Sequence, residues 1–348
     1  MIGAINSVRN FLKNSLKSDG LQERNNQFIT MDGMESYCII NQWLFKGAKF
    51  SAKTKEDGTI IYLQDGCILY QDINNTLQNT RNLEQVKHLR WHGSYVYQRK
   101  VGKWYASWKG QILKVGGFYN DEGLKTGEWI EFFENFWDKS QVTYVGEYKK
   151  GIKQGKWSTY QFAQKQKQLT FIGEGYFDQF GIKQGFWFDL DRNFYDGRQL
   201  IYRGEYQYGL KQGRWDIYFQ SFFDNRFKII GGGKYDRNGN KNGKWVEEGE
   251  NFWNGFQILE KGEYRNGIKI GLWESFQKGY QDDKYKLFGL GCYDKLSRKN
   301  GKWIEYHEKF SRYTFTLNYS FVLLSMLNNL HWKLPRGFKN WNMGNYKL

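Results

Sequence analysis

The 348-residue chain carries 40 Gly, 15 Trp, 25 Tyr and 27 Phe against a single Pro. That excludes a helical bundle, in which Gly loses the most backbone entropy, and a disordered polymer, which lacks Trp. The net charge of +16, from 52 Lys and Arg against 36 Asp and Glu, keeps polyanion partners in play, although Lys, Tyr and Phe share AT-rich codons that raise charge and aromatics together.

Residues 1–34 open with Ile2, Ile5, Val8, Leu12 and Leu16 at helical spacing beside Arg9, Lys13 and Lys17. This predicts a basic amphipathic helix, suited to a membrane surface, a targeting presequence or an ordinary packing face. Residues 35–90 read as degenerate hairpins and a connector. Ile60 to Leu63 and Cys67 to Tyr70 flank a turn at Asp65-Gly66, and Leu83, Val86 and Leu89 predict a short helix. No stretch reaches the roughly 20 apolar residues that cross a bilayer. Cys38, Cys67 and Cys292 fit no disulfide framework or zinc spacing, so a reducing, cytoplasmic setting is expected, free or in association with membrane or cytoskeleton.

Over residues 91–310 one string recurs eight times, Lys-x-Gly-x-Trp. Its tryptophans are Trp104, Trp129, Trp157, Trp187, Trp215, Trp245, Trp273 and Trp303. Its lysines are Lys100, Lys125, Lys153, Lys183, Lys211, Lys241, Lys269 and Lys299. The Trp separations of 25, 28, 30, 28, 30, 28 and 30 residues make the true period a 58-residue pair of unlike units. A further Gly stands six residues before each Trp except in the end units, which have Gln98 and Ser297. Each unit predicts a β-hairpin whose Gly-x-Lys-x-Gly stretch supplies positive-φ turn positions, with Asn238-Gly239, Asn242-Gly243 and Asn266-Gly267 as turn pairs. Glycines beside large rings predict that each Trp lies over bare backbone of a neighbouring strand. Residues 311–348 form a cap or tail, with 311–330 apolar enough to cover the last hairpin.

The string Gly-Glu-Tyr-Lys-Lys-Gly-Ile-Lys-Gln-Gly-Lys-Trp at 146–157 resembles the MORN repeat, in particular the variant in proteins similar to the bacterial antitoxin-component repeats. The resemblance covers roughly residues 90–308 and departs from the family where Trp stands for the glycine that closes its turn. It implies an all-β fold, an elongated single-layer antiparallel meander of hairpins, and a scaffold role, to which the flanking residues add short helical N- and C-terminal flanks.

Little in the sequence points to catalysis. His88 and His92 are four apart, a spacing that suits a metal on a helix, yet no HExxH or nearby Cys supports it. Gly231-Gly-Gly-Lys234 lacks the Ser or Thr and the helix of a phosphate loop. Glu131, Asp189, Glu247 and Glu305 recur two residues after Trp and read as a solvated strand face. The expectation is therefore a non-enzymatic protein without cofactor or metal, a scaffold for a protein partner, cytoskeletal or a second copy. The alternatives are a peripheral protein held on anionic lipid by the N-terminal helix and the lysine column, and a regulatory module of an enzyme. Eight turn lysines on one sheet edge, roughly 10 Å apart, define the candidate polyanion strip, or serve only as an edge that resists pairing. Nucleic acid is disfavoured, because the aromatics are committed to repeat packing.

Overall fold

The computed structural model describes residues 28–305, apart from 40, 41, 74, 75, 78, 79, 81, 164–167, 223, 225, 251, 280, 281 and 283, with side chains from Lys49 on. The helical flanks expected for 1–18 and for the C-terminal cap lie outside the described residues. The chain divides between Ile182 and Lys183 into two compact units.

The first unit begins with a four-stranded antiparallel sheet in chain order, β1 Phe28–Ile39, β2 Gln42–Thr54, β3 Ile60–Gln64 and β4 Cys67–Asp72. Strand β1 therefore starts inside the stretch assigned to the N-terminal segment, so the expected boundary at residue 34 falls in mid-strand. The hairpin predicted at Asp65-Gly66 is present, both residues at positive φ (50° and 80°). Helix α1, Leu83–His88, is capped by the Asn82 carboxamide, which accepts from the amides of Glu84 and Gln85, and it buries Leu83 and Val86. An antiparallel meander follows: β5 Leu89–Val96, β6 Arg99–Trp108, β7 Gln111–Tyr119, β8 Lys125–Phe132, β9 Val142–Lys149, β10 Ile152–Ala163 and β11 Gln168–Phe177.

The second unit is built the same way, from β12 Lys183–Leu190, β13 Gln199–Gln207, β14 Leu210–Gln220, β15 Lys228–Tyr235, β16 Lys241–Glu248, β17 Phe256–Arg265, β18 Ile268–Gly279, β19 Lys286–Tyr293 and β20 Lys299–Ile304. In the first unit β1 to β4 pair in chain order and, after α1, β5 to β11 do the same, as do β12 to β20 in the second unit, each neighbouring pair antiparallel.

Two turn chemistries explain the 58-residue period. The short turns have two central residues at positive φ, as at Lys150-Gly151 (49°, 78°) and Tyr208-Gly209 (51°, 77°), the geometry that matches strand twist. The longer turns hang on an Asn or Asp carboxylate or amide oxygen that accepts two backbone N–H groups. Asn120 takes those of Glu122 and Leu124, Asp178 those of Phe180 and Ile182, and Asp236 those of Asn238 and Asn240. Successive turns are also tied, since Gly151 N–H donates to the Lys125 carbonyl and Gly267 N–H to that of Lys241. At the ends, Gln98 and Ser297 take the positive φ that Gly supplies elsewhere.

The second Gly of each string is not a turn residue. Gly155, like Gly243 of the Asn242-Gly243 pair, lies inside a strand at positive φ, and at Gly155 the pairing register slips between Gln154 and Ser158. This is a bulge rather than the tip of a hairpin, and it turns the following Trp onto its neighbour.

Candidate functional site

The repeat residues converge on one face of each sheet. A Cβ on Gly146 would sit 2.3 Å from the Trp157 ring, and the same contact recurs for Gly93 under Trp104, Gly117 under Trp129, Gly204 under Trp215, Gly233 under Trp245, Gly262 under Trp273 and Gly291 under Trp303. Apart from Gly93, which starts the array, each of these glycines is also the register partner of the preceding Trp, as in Trp129 opposite Gly146 and Trp215 opposite Gly233. Tyrosines fill the spaces edge-on. In the second unit Tyr206, Tyr235, Tyr264 and Tyr293 alternate with the tryptophans at ring distances of 4.8 to 6.2 Å. Trp104, Trp129, Trp157, Trp215, Trp245 and Trp273 are at most 3% exposed.

The eight lysines lie on this ladder. Each places its ammonium over the ring of its own Trp, 3.9 to 4.9 Å from the centroid. The acids two residues after alternate tryptophans then bridge pairs of lysines. Glu131 binds Lys125 and Lys153 (2.7 Å to the latter), Asp189 binds Lys183 and Lys211 (2.7 and 3.1 Å), and Glu247 binds Lys241 and Lys269 (2.9 Å to the latter). Lys269 also reaches Glu260 at 2.7 Å, and Lys299 pairs with Glu305. Tyr148, Tyr206 and Tyr264 donate their hydroxyls to the same three bridging acids. Lys100, at the start of the array, pairs with no carboxylate among the described residues.

This corrects the reading of the recurrent acids as a solvated face for Glu131, Asp189 and Glu247, while Glu305, with its side chain 49% exposed, is solvated as expected. Glu247 is 8% exposed, and the Glu131 and Asp189 side chains are 16% exposed. Burial works against their charge, but the flanking lysines outweigh it and hold all three carboxyls below the ordinary range. Burial pushes the Tyr148, Tyr206 and Tyr264 hydroxyls far up. The column is thus largely neutralised from within the chain.

A second set of side chains escaped sequence reasoning. Loops with Asn-Phe followed by Trp or Tyr recur every 58 residues, at 135–137, 193–195 and 251–253. In the second unit buried Arg198 forks onto Asp191 (2.9 and 3.3 Å) and donates to the carbonyl of Phe252 at 2.7 Å. Tyr202 reaches both Asp191 and Glu248. In the first unit Asn82 and Gln85 of the α1 region donate to the Phe136 carbonyl, so α1 docks against the equivalent loop. The 58-residue spacing of Asn-Phe was the available signal.

The other motifs build no reactive centre. His88 ends α1 against the edge of Trp108, and His92 lies on β5, so the two share no helix face. The His92 Nε2 is 2.8 Å from the Ser107 hydroxyl, but Ser107 is 5% exposed and His92 pairs with no carboxylate among the described residues. Gly231 to Gly233 lie within β15, with backbone or rings against all three, and bind no helix start. No group of three metal-ligating side chains and no helix long and apolar enough to cross a membrane occurs among the described residues.

The opposite sheet face is different in kind. Strand alternation puts the residue before each Trp there, and its apolar side chains stand open, Phe118 at 52%, Phe171 at 52% and Tyr176 at 55% in the first unit, Phe186 at 70% and Leu272 at 53% in the second. No protein-family model matches the chain, and no curated protein is similar to it at a significant level.

Proposed function

We propose that the chain is a non-enzymatic scaffold of MORN-like repeats whose open sheet face receives a protein partner. The observation that carries this is the contrast between the two faces. The Trp face balances its charges with lysines, acids and tyrosines, whereas the opposite face leaves large rings in water, a pattern that marks interaction surfaces. The resemblance of residues 146–157 to MORN repeats supports the scaffold role. The lysine column supports an anionic-lipid site less well, because seven of its eight ammonium groups already hold carboxylates.

The test is affinity capture of the tagged full chain from the cells that make it, beside the variant Phe118→Ser, Phe171→Ser and Tyr176→Ser. The variant keeps the wild-type melting temperature and loses the associated protein. Equal recovery from both would overturn the proposal, as would turnover by the purified chain of phosphoester or acyl substrates.

A further inference from the structure

Three times within the chain an acid, a tyrosine and a lysine from three successive strands meet on the Trp face. Glu131 on β8 accepts from the Tyr148 hydroxyl of β9 at 2.8 Å and binds the Lys153 ammonium of β10 at 2.7 Å. Asp189, Tyr206 and Lys211 repeat this on β12 to β14 at 2.6 and 3.1 Å, and Glu247, Tyr264 and Lys269 on β16 to β18 at 2.9 Å for both contacts.

A fourth set is divided between the two edges of the array. Tyr95 on β5 and Lys100 on β6 are register partners, as Tyr148 and Lys153 are, but on its other side β5 pairs with no strand among the described residues that could bring the acid. The Tyr95 hydroxyl is accordingly buried without a hydrogen-bond partner, and Lys100, half-buried over Trp104, meets no carboxylate among the described residues. Asp72 acts on Lys100 only through space, because its oxygens accept from the Thr76 amide and hydroxyl and from the Leu77 amide. At the other edge, β20 leads to the acid and lacks the rest. Glu305 holds Lys299 and stands half-exposed, where Glu131, Asp189 and Glu247 each take a second lysine.

The packing is divided in the same way. Gly93 on β5 has no Trp opposite it in register, and Trp303 on β20 has no Gly beyond it and is the one tryptophan of the string left partly exposed. Nor is β20 built to resist pairing. Its Lys299-Asn-Gly-Lys-Trp303 is identical to Lys241-Asn-Gly-Lys-Trp245 of β16, which pairs on both sides, so these lysines do not blunt an edge.

We propose that the two edges are halves of one interface, with β20 of one copy pairing antiparallel to β5 of a second copy, Glu305 meeting that copy's Lys100 and Tyr95 hydroxyl and Trp303 facing its Gly93. The joint repeats the register of β16 with β17, in which Trp245 faces Gly262. A second copy is the occupant because this chain itself supplies the acid and the Trp in the spacing that the lysine, the tyrosine and the Gly await. The two halves differ, so the contact is head-to-tail. It does not depend on what the open face receives.

Sedimentation of the purified full chain over a concentration series is the test. Wild type associates as concentration rises. Lys100→Gln and Glu305→Lys each spoil one edge, and each alone loses about tenfold or more in self-affinity. Mixed in equal amounts they share one intact joint, Glu305 of the first variant on Lys100 of the second, and form dimers of wild-type affinity and nothing larger. Tyr95→Phe removes a hydroxyl that has no partner in the single chain, so association weakens about threefold while the melting temperature does not fall. A wild-type chain that stays monomeric up to about 100 μM, or a mixture that associates no better than its components, would overturn the inference. Its failure is separable from that of the scaffold reading. Association that survives Lys100→Gln and is lost in Phe118→Ser, Phe171→Ser, Tyr176→Ser would put the copies on the open face, which removes the edge joint and leaves the scaffold.

Discussion

A methyl group at position 146 has nowhere to go, because the Trp157 ring already occupies its space at 2.3 Å. Gly146→Ala therefore displaces a buried ring, at a cost of about 2 to 3 kcal/mol. Gly127→Ala meets nothing within 4 Å and is strained only by its φ of 68°, about 1 kcal/mol. Urea denaturation of the two variants checks this order, and a larger loss at Gly127 would contradict the ladder. The bridging acids make a second residue-scale prediction. Glu131, Asp189 and Glu247 have folded pKa values below their unfolded ones, so their contribution is complete above the unfolded carboxylate range, near pH 4, and is lost as pH falls through the lowered folded values. The triple variant Glu131→Gln, Asp189→Asn, Glu247→Gln flattens the acid limb of a stability profile between about pH 2 and 5, besides lowering the plateau. Glu248, which burial pushes up, has the opposite sign, favouring the fold at low pH and losing that as pH rises through its raised value.

At the scale of elements, the two ends of each hairpin are held by different means. The turn ends stack through Gly N–H donors and the Lys ladder, while the loop ends are pinned by single polar side chains. Arg198 is the clearest of these, buried to 7% exposure and shared between Asp191 on its own loop and the Phe252 carbonyl on the next. Arg198→Gln leaves Asp191 a buried charge without its cation and costs about 3 kcal/mol. Hydrogen exchange locates the damage, with amides of loops 191–198 and 249–254 losing protection first and those of β14 keeping theirs. Uniform loss across the second unit would contradict it. Strand existence at this scale was legible in sequence, because Lys-x-Gly-x-Trp is local and each copy repeats the evidence of the others. The bulge at Gly155 was not, since a positive-φ glycine in a strand and one in a turn look alike until register is known. Nor was the carboxylate bridge legible in full. Glu131 could be seen two residues after Trp129, but its second lysine, Lys153, arrives from the next hairpin, and only cross-strand register brings the two together. Arg198 occurs in no other copy of the loop, so periodicity could not single it out.

For the molecule as a whole, the two sheet faces divide the labour. One is structural and makes chemical sense without a partner, and its lysines belong to it. The other leaves large apolar side chains such as Phe118, Phe171 and Phe186 open to water. Variants of the two faces therefore separate. Lys153→Gln, Lys211→Gln, Lys269→Gln removes one cation from each bridging acid and one ring contact from each of three tryptophans, about 1 to 2 kcal/mol per site. The measurement that tests this division most directly is the binding isotherm of that lysine variant for the captured partner, taken well below its lowered melting temperature. A dissociation constant within about twofold of wild type is the result predicted here, and a loss of about tenfold or more at unchanged stability would show that the lysines face the partner and not the fold.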